Sequence, residues 1–492
     1  MPITARRAPF AGRELTPRQA AQARATVASA KAFARMRMTH DPLRILLFLL
    51  MIVTVSRVHL HYPILAVFRP ALLLSFLAVL YAFLNPRSLT SHNVLDVWPM
   101  RMVAFIFVLA CCSAPFGISL GNSGLFILDS FIKTVVYAFL LAVSVRTARD
   151  LYTYVWAFVV SCGILSYFAV FVFDLQTGGS LTARLGELYT YDSNDLGVLL
   201  MIGLPLTLLL LFVDRGIKRL LLLVNLVGIS AAMARSGSRG GFLGLVIVGV
   251  ATLFLVNGIS VARRWTLLVV AALVLAVAAP PGYWKQMATI LNPEKDYNVT
   301  SFDGRSALIK RGLGYMAKYP VFGIGIWNFA KAECTISPKV MWRPRNEALR
   351  CIAPHNSFVQ AGTELGVPGI ISFVSLLLGL IIAPIRLRRR LPRSWIKGTG
   401  QERFLYAAAS FFPVAMCGFA VTSFFVTFAF ADPIYLMAAL ETGLYLVTRS
   451  HLESSSTVVG AVISAHPATR HEGWRVSASA RRLLGAAAGG GR

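Results

Sequence analysis

The chain has 492 residues, of which 56% are hydrophobic and only 14% charged, and a formal net charge of +27. Soluble domains carry roughly 25% charged residues, so this composition excludes a soluble enzyme. Nucleic-acid binding is not expected either, because no recognition module accompanies the basic charge.

Residues 1–42 form a basic tail carrying Arg6, Arg7, Arg13, Arg18, Arg24, Lys31, Arg35 and Arg37. No cleavable signal peptide is evident, and the first apolar run, near Leu43, reads as a retained span. A chain that crosses the bilayer must satisfy its own backbone hydrogen bonds, which leaves helices or closed barrels. Runs such as Gly197–Val213 and Leu267–Ala279 lack the alternation of barrel strands. The reading is an all-α polytopic membrane protein with about twelve transmembrane helices. They are expected at 43–56, 63–84, 102–118, 124–145, 151–174, 195–213, 219–234, 241–258 and 266–280, then at 366–385, 405–427 and 431–447. This places nine spans in the segment 43–280 and three in 366–447.

Twelve crossings that start inside put Arg87 and Arg101, Arg146 and Arg149, Arg215 to Arg219, Arg263 and Arg264, and Arg386 to Arg403 on the cytoplasmic side. That is the positive-inside pattern, with basic residues meeting anionic membrane lipid. It predicts a bacterial inner membrane location with both termini cytoplasmic. The tail 448–492 is rich in Ser, Ala, Gly and Arg and is expected to be disordered.

The longest interruption, 281–365, falls on the periplasmic face as a loop domain, where eleven basic residues against six acidic ones leave a net +5. Loops this long are usually functional. Ile309, Leu313 and Met316 make one apolar stripe of a short helix within it. Cys334 and Cys351 both lie in this loop, where an oxidising compartment would allow a disulfide. Cys111, Cys112, Cys162 and Cys417 fall within spans and read as packing residues.

No Gly-rich phosphate loop, HExxH motif or CxxC pair is present, so neither a cofactor nor a metal is expected. Gly323-Ile-Gly325 alone does not imply a nucleotide. Candidate chemistry rests on polar residues at the outer boundary. Arg239, within Ser236-Gly-Ser-Arg-Gly-Gly, is costly near bilayer depth, about 2.5–3.5 kcal/mol, and its flanking glycines allow close approach of backbone amides to a ligand. Gly304-Arg305-Ser306 opens the loop helix, where amides and a guanidinium suit a phosphate. His355, in Pro354-His-Asn-Ser357, exchanges a proton near neutral pH as a general base must. Asp129 and Lys133, one turn apart within a span, suggest an intramembrane ion pair. Asn194-Asp195 suits a helix cap, and Glu441 in the last span has no evident role.

Ser193-Asn194-Asp195-Leu196, Ser238-Arg239-Gly240-Gly241, Gly304-Arg305, Pro320-Val-Phe-Gly323-Ile-Gly325-Ile-Trp-Asn-Phe329 and His355-Asn356-Ser357-Phe-Val-Gln-Ala-Gly-Thr-Glu364-Leu-Gly366 occur in that order. Together, over roughly Asp192–Gly369, they resemble the O-antigen ligase and polymerase family. The resemblance implies a GT-C-type membrane glycosyltransferase fold. It implies a donor glycan on undecaprenyl diphosphate and an acceptor that is lipid A-core, another glycan or a protein, so that a polysaccharide polymerase is implied nearly as strongly as a ligase. Arg239 and Arg305 would bind the diphosphate, with Arg311 a further candidate. His355 would activate the acceptor hydroxyl, supported by Asn194, Asp195, Asn356 and Glu364. An activated donor needs no nucleotide, and fixed arginines can stabilise the charge that grows on the leaving group, so the expected enzyme is metal-independent and inverting. The alternative class, a lipid-linked glycan flippase or polysaccharide transporter, predicts inverted repeats and broken helices near the midplane, and no repeat relates the two halves.

Overall fold

The computed structural model of the protein describes residues 36–176, 184–292, 301, 304–342 and 350–464. Among them the fold is helical apart from one antiparallel pair, β1 (Leu175–Gln176) and β2 (Arg184–Leu185), and an isolated bridge between Leu188 and Tyr191. Eight helices are long and apolar enough to cross a membrane. They are α4 (Trp98–Phe116), α5 (Leu120–Ser144), α6 (Ala148–Val172), α7 (Ser193–Val213), α8 (Ile217–Ser236), α10 (Val261–Ala278), α15 (Ser357–Arg390) and α16 (Gly400–Phe425). Shorter apolar helices are α1 (Pro42–Ser56), α3 (Pro70–Leu84) and α9 (Arg239–Leu255). The chain is a multi-pass membrane protein.

Several boundaries differ from expectation, each for a local reason. The run 63–84 is two helices, α2 (Pro63–Val67) and α3, because Arg69 takes a left-handed φ of 43° and Pro70 begins the next helix. A residue that precedes proline is driven out of the α region. α15 begins at Ser357, well before the expected start at residue 366, because Asn356 caps it. Gly366, with φ +74°, then breaks the helix where the span was expected to start. The last helix, α17 (Asp432–Ser464), runs past the expected end at residue 447. Arg449 and Glu453, paired at 2.8 Å one turn apart, support that extension. Residues 465–492 of the expected tail, and residues 1–35 of the basic one, lie outside the described residues.

The core is built around α7 and α16, whose apolar stretches are 89% and 83% buried, whereas that of α10 is only 6% buried. Small residues bring the inner helices together, as is common where lipid removes the hydrophobic drive between helices. A Cβ on Gly203 would strike the Cys162 thiol, and one on Gly418 would meet Val248 at 2.6 Å. At the start of α1 the buried Arg44 donates to the Ser88 and Ser144 carbonyls and pairs with Asp41 at 2.9 Å. It ties the ends of several helices into one polar knot. Asp129 and Lys133 do pair, at 2.8 Å, beside a π-helical turn (Ile127–Phe131), but on an exposed face of α5.

Between the crossings lie α11 (Tyr283–Ala288), α12 (Arg305–Lys318), α13 (Phe329–Thr335) and α14 (Lys339–Trp342). α12 packs through Leu308 and Tyr315 against Ile324, Phe329 and Val359, so the loop segment has its own small apolar core on the first turns of α15. Cys334 and Cys351 are joined by a disulfide, Cα–Cα 5.3 Å.

Candidate active site

Arg239 and Arg305 occupy equivalent local positions, each being the first residue of its helix. Ser238 caps α9, its hydroxyl accepting from the Gly241 N–H at 3.1 Å, and Gly304 caps α12. Each guanidinium therefore belongs to a residue at the positive dipole end of a helix. Two more helix starts meet them. Asp192 caps α7, accepting from the Asn194 and Asp195 amides at 2.6 and 2.8 Å, and Asp195 returns the bond to the Asp192 N–H at 3.2 Å. The Ser238 hydroxyl donates to Asn194 Oδ1 at 2.8 Å, binding the start of α7 to that of α9. The two helix starts lie close, since a Cβ on Gly197 would be in van der Waals contact with the Gly241 backbone at 3.4 Å.

Phe425, at the end of α16, lies between the start of α9 and Arg305. A Cβ on Gly240 would come within 2.6 Å of its ring, and the Arg305 guanidinium lies over the same ring, 5.6 Å from its centre. Two residues on, the Thr427 hydroxyl accepts the His355 N–H at 3.1 Å. His355 has φ +45°, a conformation that costs a side-chain-bearing residue energy and concentrates at functional sites. Its neighbours fix it firmly. Asn356 accepts from the Phe358 and Val359 amides, the Ser357 hydroxyl donates to the Val426 carbonyl and accepts the Phe428 N–H, and Gln360 accepts the Ala429 N–H. Burial and the nearby Arg305 guanidinium hold the His355 imidazole below its ordinary pKa, while Asp192 pulls it upward. The ring is thus neutral at pH 7 and able to accept a proton.

The remaining sequence candidates fall into supporting positions. Glu364 is 2% exposed and accepts the Trp327 and Phe329 amides at 2.7 and 3.2 Å. It anchors the Pro320–Phe329 segment to α15, so its contacts are with protein backbone. Gly323 and Gly325 serve the same docking. Their φ values are positive, a Cβ on Gly323 would strike the Glu364 backbone, and one on Gly325 would come within 2.9 Å of Gly117. Arg311 forms a forked pair with the fully buried Glu333, at 2.8–3.0 Å, shared with Lys339 at 3.1 Å and the Tyr315 hydroxyl at 3.0 Å. These contacts place Arg311 in the internal scaffold of the loop segment, and none of them joins it to Arg239, Arg305 or His355. Glu441 is buried on α17, and among the described residues neither of its carboxylate oxygens has a hydrogen-bond partner.

Residues 223–374 match the family model described as O-antigen ligase. Over this stretch the chain is similar to the O-antigen ligase family. No curated protein matches the chain. The matched stretch contains both helix-start arginines, His355, Asn356, Glu364, Arg311 and the bonded cysteines. Asn194 and Asp195 precede it, and Phe425 and Thr427 follow it. Sequence reasoning missed these last two because 405–427 reads as one apolar span. The helix gives way at Ser423, and the next helix begins at Asp432.

Proposed function

We propose that the protein is a membrane glycosyltransferase of cell-surface polysaccharide biosynthesis, moving a glycan from undecaprenyl diphosphate to an acceptor hydroxyl at the periplasmic face in an O-antigen ligase-like reaction. The observation that supports this reading is the approach of Arg305 and the start of α9, which Arg239 opens, to Phe425, with a neutral His355 beside Arg305 and tied to Thr427. Arg239 and Arg305, with the amides of their helices, bind the diphosphate. His355 takes the proton of the acceptor hydroxyl as its oxygen attacks the anomeric carbon. The bond from that carbon to the phosphate oxygen breaks, and undecaprenyl diphosphate leaves with the electron pair. A single displacement inverts the anomeric centre, and the two guanidiniums stabilise the leaving charge without a metal.

An apolar cavity of about 210 Å³ supports a lipid-borne donor. Phe242, Leu245, Val246, Gly249 and Thr252 line it along the face of α9 that continues from Arg239, and Leu267, Leu268 and Leu275 of α10 face them. A polyprenyl chain whose diphosphate is held at Arg239 would lie in that direction. Arg311 belongs to the scaffold in this reading, Asn194 and Asp195 position the starts of α7 and α9, Asn356 positions that of α15, and Glu364 holds the Pro320–Phe329 segment.

The test is transfer by purified, reconstituted protein carrying Arg239→Ala, Arg305→Ala or His355→Ala. Each variant is expected to lose at least about a hundredfold in rate, the scale of removing one group that stabilises developing charge or moves a proton. Wild-type rates of covalent product in all three would end the proposal.

A further inference from the structure

Arg239 does not stand alone at the head of α9. Both its side chain and its backbone turn are tied to one short helix that no part of the proposed reaction uses. Gly237, two residues before it, has φ +58° and ends α8. Its carbonyl accepts from Gln286 Nε2 at 2.8 Å. The Arg239 guanidinium donates from Nη1 to Thr289 Oγ1, also at 2.8 Å. The Thr289 hydroxyl donates in turn to the Gln286 carbonyl at 2.7 Å. That last bond fixes the direction of the chain. With its proton committed to Gln286, the Thr289 oxygen presents lone pairs to Arg239. The Gln286 amide is equally determined, since only its NH₂ can meet a carbonyl.

The short helix is itself braced on α9. Tyr283 and Met287 are buried, and Trp284 meets Phe242 edge-on with ring centres 6.4 Å apart, one turn beyond Arg239. The turn before Arg239, its guanidinium and the next turn of its helix are therefore all referenced to residues 283–289. A long flexible side chain loses several rotors when it is held in one geometry, and a guanidinium aligned before the ligand arrives spares the complex that cost.

We infer that α11 and the turn after it form a clamp, in which Thr289 is a positioning residue that aligns Arg239 for a diphosphate and Gln286 sets the turn from which Arg239 projects. This rests on the reading of Arg239 as a diphosphate ligand, and the experiment separates the two. The probe is undecaprenyl diphosphate itself, titrated into the purified full-length chain. Thr289→Val keeps the shape but removes the acceptor. It is expected to weaken binding about tenfold, the scale of one hydrogen bond to a charged group, and Thr289→Ser to bind within about twofold of wild type by the same measure. In an Arg239→Ala background, Thr289→Val should cause no further loss, because the two act as one unit. Gln286→Met is expected to weaken binding in the same direction and provides the reading if Thr289→Val fails to accumulate.

A Thr289→Val protein that binds as wild type does, while Arg239→Ala does not bind, overturns the clamp and leaves the diphosphate reading intact. Equal losses in Thr289→Val and Thr289→Ser also overturn it, because the hydroxyl would then be irrelevant. Full binding by Arg239→Ala overturns both. A lower melting temperature with unchanged affinity would mark Thr289 as structural only and likewise refute the inference.

Discussion

At the scale of single residues, the imidazole of His355 makes the sharpest prediction. A general base works only when unprotonated, and the folded protein holds this ring below its ordinary pKa through burial and Arg305. Transfer should therefore persist below pH 6.5 and fall only as the medium becomes acidic enough to charge the ring. Arg305→Gln removes the second of those causes, so the acid limb should move toward higher pH, in addition to any loss of donor binding. A pH–rate profile of kcat/KM for both proteins reads this. An acid limb that does not move between them would separate His355 from Arg305. Arg311 makes the opposite kind of prediction. Its partner Glu333 has no exposed surface, so Arg311→Met leaves a buried charge with fewer partners and should destabilise the folded chain by roughly 3 kcal/mol. Lys339 remains to limit the damage. The protein that does fold should bind donor normally, a result that thermal melts and donor titration together would give.

At the scale of elements, the loop segment is positioned by backbone contacts that admit little change. Gly366 has φ +74°, and a Cβ there would lie 2.5 Å from the Pro320 carbonyl. Val367 donates to that same carbonyl at 2.7 Å, and Ile324 to the Thr363 carbonyl at 2.9 Å. Gly366→Ala should cost about 2 kcal/mol from the positive-φ, extended-ψ backbone alone, with the close contact added. The Cys334–Cys351 bridge closes 17 residues of sequence separation and should contribute about 3 kcal/mol by restricting the unfolded chain. A Cys334→Ala, Cys351→Ala double variant is expected to melt earlier, and reductant should lower the melting point of wild type but not of the variant.

Much of this element level could be read from the chain. Long apolar runs announce the helices, and the order of the Arg239, Arg305 and His355 segments announces a site. The partners of those segments could not be read, because Phe425 and Thr427 look like ordinary residues of an apolar span. Nor does Gly323-Ile-Gly325 display in sequence that its backbone freedom is used to pack against Glu364 and Gly117. Arg311 reads as a further, weaker phosphate candidate for a similar reason, because a sequence does not display the buried Glu333 that pairs with it.

At the scale of the whole molecule, the chemistry requires that the ends of α8 and α16 and the starts of α7, α9, α12 and α15 all face the periplasm. The positive-inside count supplies an orientation in which they do, since Arg263 and Arg264 then lie in the cytoplasm and Glu187, between β2 and α7, lies outside. Glu187 is exposed, and so is Arg263, so single cysteines at these positions, in a chain whose four free cysteines are replaced by alanine, report sidedness directly. A membrane-impermeant thiol reagent applied to intact spheroplasts should label Glu187→Cys and leave Arg263→Cys unlabelled until the membrane is broken. The opposite pattern would turn His355 toward the cytoplasm. A lipid-linked glycan presented at the outer leaflet would then be out of reach of Arg239 and Arg305, whatever their local geometry, so the labelling decides whether the cluster can meet its donor at all.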